Sequence, residues 1–139
     1  MSIFNHKRID KYLTSIISEV NDINSILRQT DAEILKSPNL IKSLKYSVII
    51  IAEAIGGALQ HILAKKHYVA VQGYAEILTK TKAYQILPNE LIERLQPFAR
   101  FRNMLVHQYW RIEDEVFLEN LRSGVKDFEE FVRITKQYV

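Results

Sequence analysis

From Ile41 to Ile62, apolar residues return at intervals of three and four: Ile41, Leu44, Val48, Ile51, Ile55, Leu59 and Ile62. That is the period of one α-helical face and is incompatible with the two-residue alternation of a half-buried strand. Ser37-Pro38 opens the segment, with a hydroxyl to cap the first free amides and a proline whose fixed φ suits the first turn. Ile49 and Ile50 widen the stripe, which makes this the central, most buried helix of the chain. Ala52, Ala54, Gly56, Gly57 and Ala58 are all small. Adjacent glycines cost a helix about 1 kcal/mol each against alanine. The expected compensation is close approach of another helix, from this chain or from a second copy.

A central helix needs others around it, and the remaining sequence supplies them. Asn5 caps a first helix expected to run to about Asp31, with Ile9, Leu13, Ile16, Val20, Ile23 and Leu27 on one face. A shorter helix is expected from Ala70 to Tyr84, with Tyr74, Ile77 and Leu78 facing inward. Leu87-Pro88-Asn89 breaks the chain, and a fourth helix follows from Asn89 to His107 or Tyr109. A fifth begins near Asp114, read as its N-cap, and carries Phe117, Leu121, Val125, Phe128 and Val132. Four glycines and three prolines in 139 residues leave little material for turns. Short connections between long amphipathic helices predict an all-α, up-and-down bundle of four to five helices, in one domain over residues 1–139.

Several function classes fall away. The chain has no cysteine, so it has no disulfide framework, thiolate metal site or cysteine nucleophile. The N-terminal residues lack the apolar region of a signal peptide, and the longest apolar run, Val48 to Ala52, is too short to span a bilayer. A cytoplasmic protein without membrane contact is expected. His61 and His67 are six residues apart with no third ligand nearby; they are read as surface residues, and neither a metal site nor a cofactor is expected. No glycine-rich phosphate loop or serine nucleophile motif is present. A net charge of +3 permits an acidic partner such as RNA.

The fourth helix breaks its own pattern. With Leu91 at zero on a helical wheel, Leu95, Phe98, Leu105 and Val106 fall within about 60° of it, and Arg102 falls at about 20°, inside the apolar stripe. A buried guanidinium cannot shed its proton, so it must meet a carboxylate, carbonyls or an external anion. Glu53, itself anomalous in the apolar second helix, is the obvious internal partner. His107 lies five residues on, about 140° around, so the two side chains of one chain do not converge on a straight helix. Loosening of the helix, wrapping of the arginine, or a site built across a dimer would each resolve this; the small-residue face of the second helix favours a dimer. From Arg94 to Arg111 there are four arginines (Arg94, Arg100, Arg102, Arg111) and no acid, with Tyr109 and Trp110 available to stack on a base.

The segment Arg102-Asn103-Met104-Leu105-Val106-His107-Gln108-Tyr109 resembles the signature of the HEPN superfamily, and in particular that of HepT toxins of HEPN–MNT toxin–antitoxin pairs. Ile50-Ile51-Ala52-Glu53-Ala54 is similar to a central helix of such proteins, and Pro88 stands where relatives often carry a proline before the arginine. Many relatives have an acidic or Pro-Trp element just before the arginine helix; this chain has Gln96-Pro97-Phe98-Ala99. Pro97 should kink the fourth helix or move its start to about Gln96.

The resemblance implies a homodimer whose two Arg-His motifs line one cleft and cleave RNA without a metal. His107 would act as general base on a ribose 2′-OH or as acid on the leaving oxygen, and Arg102 would bind the scissile phosphate. Asn103 and Glu53 would support them. The implied partner is an MNT-type nucleotidyltransferase antitoxin that silences the toxin by placing AMP on Tyr109, beside the arginine that RNA phosphate needs. Two other readings stand next to this one. One is a non-catalytic helical partner, or substrate-presenting subunit, of a nucleotidyltransferase. The other is a bundle in which Arg102 and Glu53 form only a structural pair.

Overall fold

Side-chain caps set where the helices begin. The Asn5 carboxamide accepts from the Arg8 amide and starts α1, His6–Leu27. The Ser37 hydroxyl accepts from the Leu40 amide and starts α3, Pro38–Lys66. Between them the computed structural model, which describes residues 4–139, has a short helix, α2 (Asp31–Leu35). The first helix was expected to continue to Asp31. It stops at Leu27 because Thr30 and Glu33 form a reciprocal capping box, each side chain accepting from the other's backbone amide. After α3 come α4 (Tyr74–Ala83), α5 (Asn89–His107), a single 3-10 turn (Tyr109–Arg111) and α6 (Asp114–Tyr138). All regular structure among the described residues is helical.

Specific contacts fix the directions of the long helices. Asn5 meets His61, Tyr12 meets Gly57, and Glu19 meets Ser47, so α1 runs antiparallel to α3. Arg102 meets Glu53 and Tyr109 meets Lys45, so α5 also runs against α3. Arg94 reaches Asp127 and Phe101 stacks on Phe117, so α6 returns antiparallel to α5. The core between them is made by Ile9, Leu13, Ile16 and Ile23 of α1, Ile51, Ile55, Leu59 and Ile62 of α3, Leu91 and Ile92 of α5, and Phe128 and Phe131 of α6. This is the expected up-and-down bundle, with α2 as a short addition and α4 as the expected short helix, beginning at Tyr74 rather than Ala70. By length and composition α3 alone, among the described residues, is apolar enough to cross a membrane, and 67% of its most apolar window is buried inside the bundle.

Four local expectations are corrected and one is narrowed. The close approach of another helix expected at the glycines of α3 comes from within this chain, through tyrosine rings: a Cβ on Gly56 would lie 3.1 Å from the Tyr74 ring of α4, and one on Gly57 would lie 2.6 Å from the Tyr12 ring of α1. The small-residue face is therefore filled and offers no open surface to another copy. Asp114 is the first residue of α6 rather than its cap; Glu113 precedes the helix without a side-chain cap bond, and the Asp114 carboxylate turns to Lys45 instead. His61 is buried and accepts a hydrogen bond from the Asn5 amide at 3.0 Å, while His67 bonds the Tyr138 hydroxyl at 2.6 Å. Pro97 does not set the start of α5, which begins at Asn89 and passes through it. Its ring is on the exposed side of the helix, where the lost backbone hydrogen bond can be made up by water. Val106, at the edge of the predicted stripe, is exposed.

Candidate functional site

Because α5 stays helical through Leu105, it carries Arg102 against the middle of α3. There the guanidinium is 27% exposed and meets the Glu53 carboxylate, whose side chain is 56% exposed. Nε donates to Oε1 at 2.6 Å, and Nη1 donates to Oδ1 of the neighbouring Asn103 at 3.2 Å. Arg102, Asn103 and Glu53 are thus brought together as one cluster. An arginine has five N–H donors, so this fork keeps donors free for an incoming anion. The pair is open to solvent, and ion pairs of that kind stabilise a fold by no more than about 1 kcal/mol.

Tyr74 of α4 completes the floor of the cluster. Its ring packs over Gly56, one turn of α3 beyond Glu53. Burial pushes the phenol well above its ordinary range; the nearby Glu53 carboxylate raises it further and the Arg102 guanidinium opposes both. Tyr74 therefore stays protonated and can only act as a hydrogen-bonding phenol. Its closeness to both charged residues was not anticipated. The glycine opposite it was the sequence signal, since a missing Cβ invites a large neighbour.

His107 is the last residue of α5 and is exposed. The helix ends there: the Gln108 amide still bonds the Met104 carbonyl, but its own φ of −140° and ψ of 46° are no longer helical. The helix has not loosened between Arg102 and His107, so the five-residue offset still turns the two side chains about 140° apart. One chain presents an arginine cluster on one side and an exposed imidazole at the helix tip. Tyr109 and Trp110 follow in the 3-10 turn, 45% and 79% exposed.

The arginine run divides between two faces. Arg94 is taken by α6, with Nε on Asp127 at 2.9 Å and Nη2 on Glu130 at 2.8 Å. Arg102 faces α3. Arg100 and Arg111 are exposed, form no ion pair among the described residues, and border a groove of about 660 Å³ between α5 and α6, floored by Phe98, Phe101 and Phe117. The expected continuous basic stretch is therefore one neutralised arginine, one clustered with Glu53, and two available cations.

Lys45 escaped the sequence reading. It lies on α3 beside Leu44 and three residues before Val48, within the apolar stripe, and only 5% of it is exposed. The same reasoning that singled out Arg102 marks it: a cation at a core position must have partners. They are the Asp114 carboxylate at 2.8 Å and the face of the Tyr109 ring, whose centroid is 4.5 Å from Nζ. No group of three or more His, Asp or Glu side chains that could hold a metal occurs among the described residues.

The model of HepT-like ribonucleases matches residues 16–134. Among curated proteins no match is found. The fold is similar to that of a tri-AMPylated Shewanella oneidensis HEPN toxin solved in complex with MNT antitoxin, with a TM-score of 0.88 at 17% identity over 96% of this chain and 99% of that one. It is also similar to a chain of a toxin–antitoxin solved with AMP-PNP (TM-score 0.84, 17% identity, 94% and 99% covered) and to a chain of an MntA–HpeT toxin–antitoxin mutant (TM-score 0.83, 19% identity, 95% and 99% covered). At these identities the likeness to solved structures establishes the shared helical fold.

Proposed function

The chain belongs to the HepT-like ribonuclease family, and from that premise we propose that it is an endoribonuclease toxin whose site is built around Arg102 and His107. The observation that carries this reading is the Arg102 cluster itself. An arginine inside an apolar stripe is held in a solvent-open fork by Glu53 and Asn103, where it adds little to stability but is ready for a phosphate.

The chemistry follows from the groups present. Arg102 binds the phosphodiester and stabilises the charge that grows on its oxygens. Glu53 and Asn103 hold the guanidinium in place. The adjacent ribose 2′-oxygen attacks phosphorus, the bond to the 5′-oxygen breaks, and the products are a 2′,3′-cyclic phosphate and a 5′-hydroxyl. His107 takes the 2′-proton or supplies one to the leaving oxygen, tasks suited to an imidazole. The nucleophile belongs to the substrate, so DNA is not cut. Because Arg102 and His107 of one chain point apart, a second copy supplies the missing half of each site, and the active species is a homodimer.

Silencing belongs to the same proposal. The partner is an MNT-type nucleotidyltransferase antitoxin that transfers AMP to the Tyr109 hydroxyl. The half-exposed ring near the end of the motif helix supports this, as does the fold shared with an AMPylated HEPN toxin. The added phosphate and adenosine bring negative charge and bulk to the motif, where RNA phosphate must bind. The residues that form the site lie in one helical domain spanning residues 1–139.

The deciding experiment is RNA cleavage by purified wild-type chain and His107→Ala. Wild type should yield cyclic-phosphate ends, and the variant should be at least about a hundredfold slower with an unchanged melting temperature. Equal cleavage by the variant would overturn the assignment. No cleavage by either, with nucleotidyltransferase binding intact, would favour a non-catalytic partner of that enzyme.

A further inference from the structure

Lys45 is the only buried lysine among the described residues, and the site proposed above makes no use of it. It stands beneath the segment that links α5 to α6. Its ammonium is fixed from one side by Asp114, the first residue of α6, and lies over the Tyr109 ring on the other; the Phe117 ring is 6.0 Å away. A desolvated cation over an aromatic face is a strong contact for a turn this short. The backbone of the turn is held by its own hydrogen bonds, from the Gln108, Arg111 and Ile112 amides to the Met104, Gln108 and Tyr109 carbonyls, but its side chains have few holds besides Lys45: Trp110 beside Tyr109 is mostly exposed, and Gln108 and Arg111 are exposed too. The Tyr109 hydroxyl makes no hydrogen bond among the described residues.

We infer that Lys45 is a positioning residue for adenylyl transfer to Tyr109: its ammonium, anchored by Asp114, grips the ring face and leaves the phenolic oxygen presented outward. The inference rests on the reading of Tyr109 as the AMP acceptor. In the transfer, the phenolic oxygen bonds to the α-phosphorus of ATP held by the partner enzyme. The bond from that phosphorus to its bridging oxygen breaks, pyrophosphate leaves with the electron pair, and the phenolic proton passes to solvent. Such an in-line attack depends on orientation, and an acceptor on a loose turn would lose much of it. Lys45 touches none of the reacting atoms. It supplies the acceptor's geometry.

The test uses the full chain with its co-purified nucleotidyltransferase and ATP, following AMP on the Tyr109 peptide by mass spectrometry over a range of chain concentrations. Lys45→Met should lower kcat for transfer about tenfold and leave KM nearly unchanged, because docking surfaces are not touched. Lys45→Arg keeps a cation over the ring and should recover most of the rate. RNA cleavage by Lys45→Met should stay within about twofold of wild type, since Lys45 contacts neither Arg102 nor His107. Unchanged kcat in Lys45→Met, or equal losses in the Met and Arg variants, overturns the inference. If Lys45→Met does not fold, Asp114→Asn decides: it loosens the anchor at a half-exposed position and should lower kcat in the same direction, while an unchanged kcat overturns the inference. Wild-type chain modified elsewhere than Tyr109 overturns the acceptor assignment, and the role of Lys45 with it.

Discussion

Arg102 meets Glu53 through one carboxylate oxygen: Nε lies 2.6 Å and Nη2 2.5 Å from Oε1. The second Glu53 oxygen is not used by the arginine. A parallel fork on both oxygens would hold the guanidinium more firmly than this one-oxygen contact does. Glu53→Gln should therefore change the unfolding free energy by less than about 1 kcal/mol, since the pair is solvent-open. RNA cleavage should nevertheless fall about tenfold, because the guanidinium loses its alignment. Arg102→Met should cost at least about a hundredfold in cleavage with similarly small loss of stability. If instead Arg102→Met unfolds the protein more readily and leaves cleavage intact, the pair is only a strut.

The two free cations of the arginine run predict how RNA binding responds to salt. Arg111→Ala and Arg100→Ala should each reduce the slope of log affinity against log salt by roughly 0.7, the value expected for one lost phosphate contact on single-stranded nucleic acid. Arg94→Ala should leave the slope unchanged, because that guanidinium is already neutralised by Asp127 and Glu130. It should instead lower stability, by about 1–3 kcal/mol, because Asp127 is buried and would lose its partner. Filter-binding titrations between low and moderate salt, beside urea unfolding, check both halves.

Much of the fold could be read from residues because the bundle is governed by local rules. The three-four spacing of Ile41 to Ile62 and the caps at Asn5 and Ser37 are properties of short windows, and each appears where expected. Arg102 was legible for the same reason, as a charge in an apolar stripe, and so was Glu53 as its partner. Thr30-x-x-Glu33 was equally local, and its capping box ends the first helix earlier than hydrophobic spacing alone suggested. What was not legible depends on three dimensions. Whether Gly56 and Gly57 admit a helix or a tyrosine ring is decided by chain positions more than forty residues apart in one case (Tyr12 with Gly57). That Lys45 lies under Tyr109 requires knowing that α5 runs against α3. His61 looked like a surface residue because its partner, the backbone amide of Asn5 at the start of α1, is 56 residues away in the chain.

The glycines separate into one that tolerates alanine and one that does not. A Cβ on Gly57 would meet the Tyr12 ring, which is half-buried at the bundle surface and can swing outward. The gain in helix propensity of about 1 kcal/mol should then nearly offset the displacement. A Cβ on Gly124 would collide with the Phe98 ring, which is itself packed against Phe128 at a centroid distance of 4.7 Å. Moving that ring toward the groove it floors would break its contact with Phe128, and overpacking of this kind costs about 1–3 kcal/mol. Thermal melts should place Gly57→Ala close to wild type and Gly124→Ala several degrees below it; the reverse order would contradict this account of the α5–α6 contact.

His61 should make stability depend on pH. Its Nε2 accepts from the Asn5 amide, which requires the neutral ring, and burial lowers its pKa, with the Arg8 and Lys65 cations adding to the effect. The folded pKa therefore lies below the ordinary value near 6.5 that the unfolded chain keeps. Between those two values the unfolded chain binds a proton that the folded chain refuses. Stability from this group is thus complete above about pH 6.5 and is lost as pH falls through the window beneath it. His61→Gln can still accept the Asn5 amide through its side-chain oxygen but does not titrate. Melting temperatures measured from about pH 8 down to about pH 5 should fall for wild type in the acid half of the range and fall less for the variant. Parallel curves for the two proteins would show that the cap at the start of α1 does not depend on the neutral imidazole.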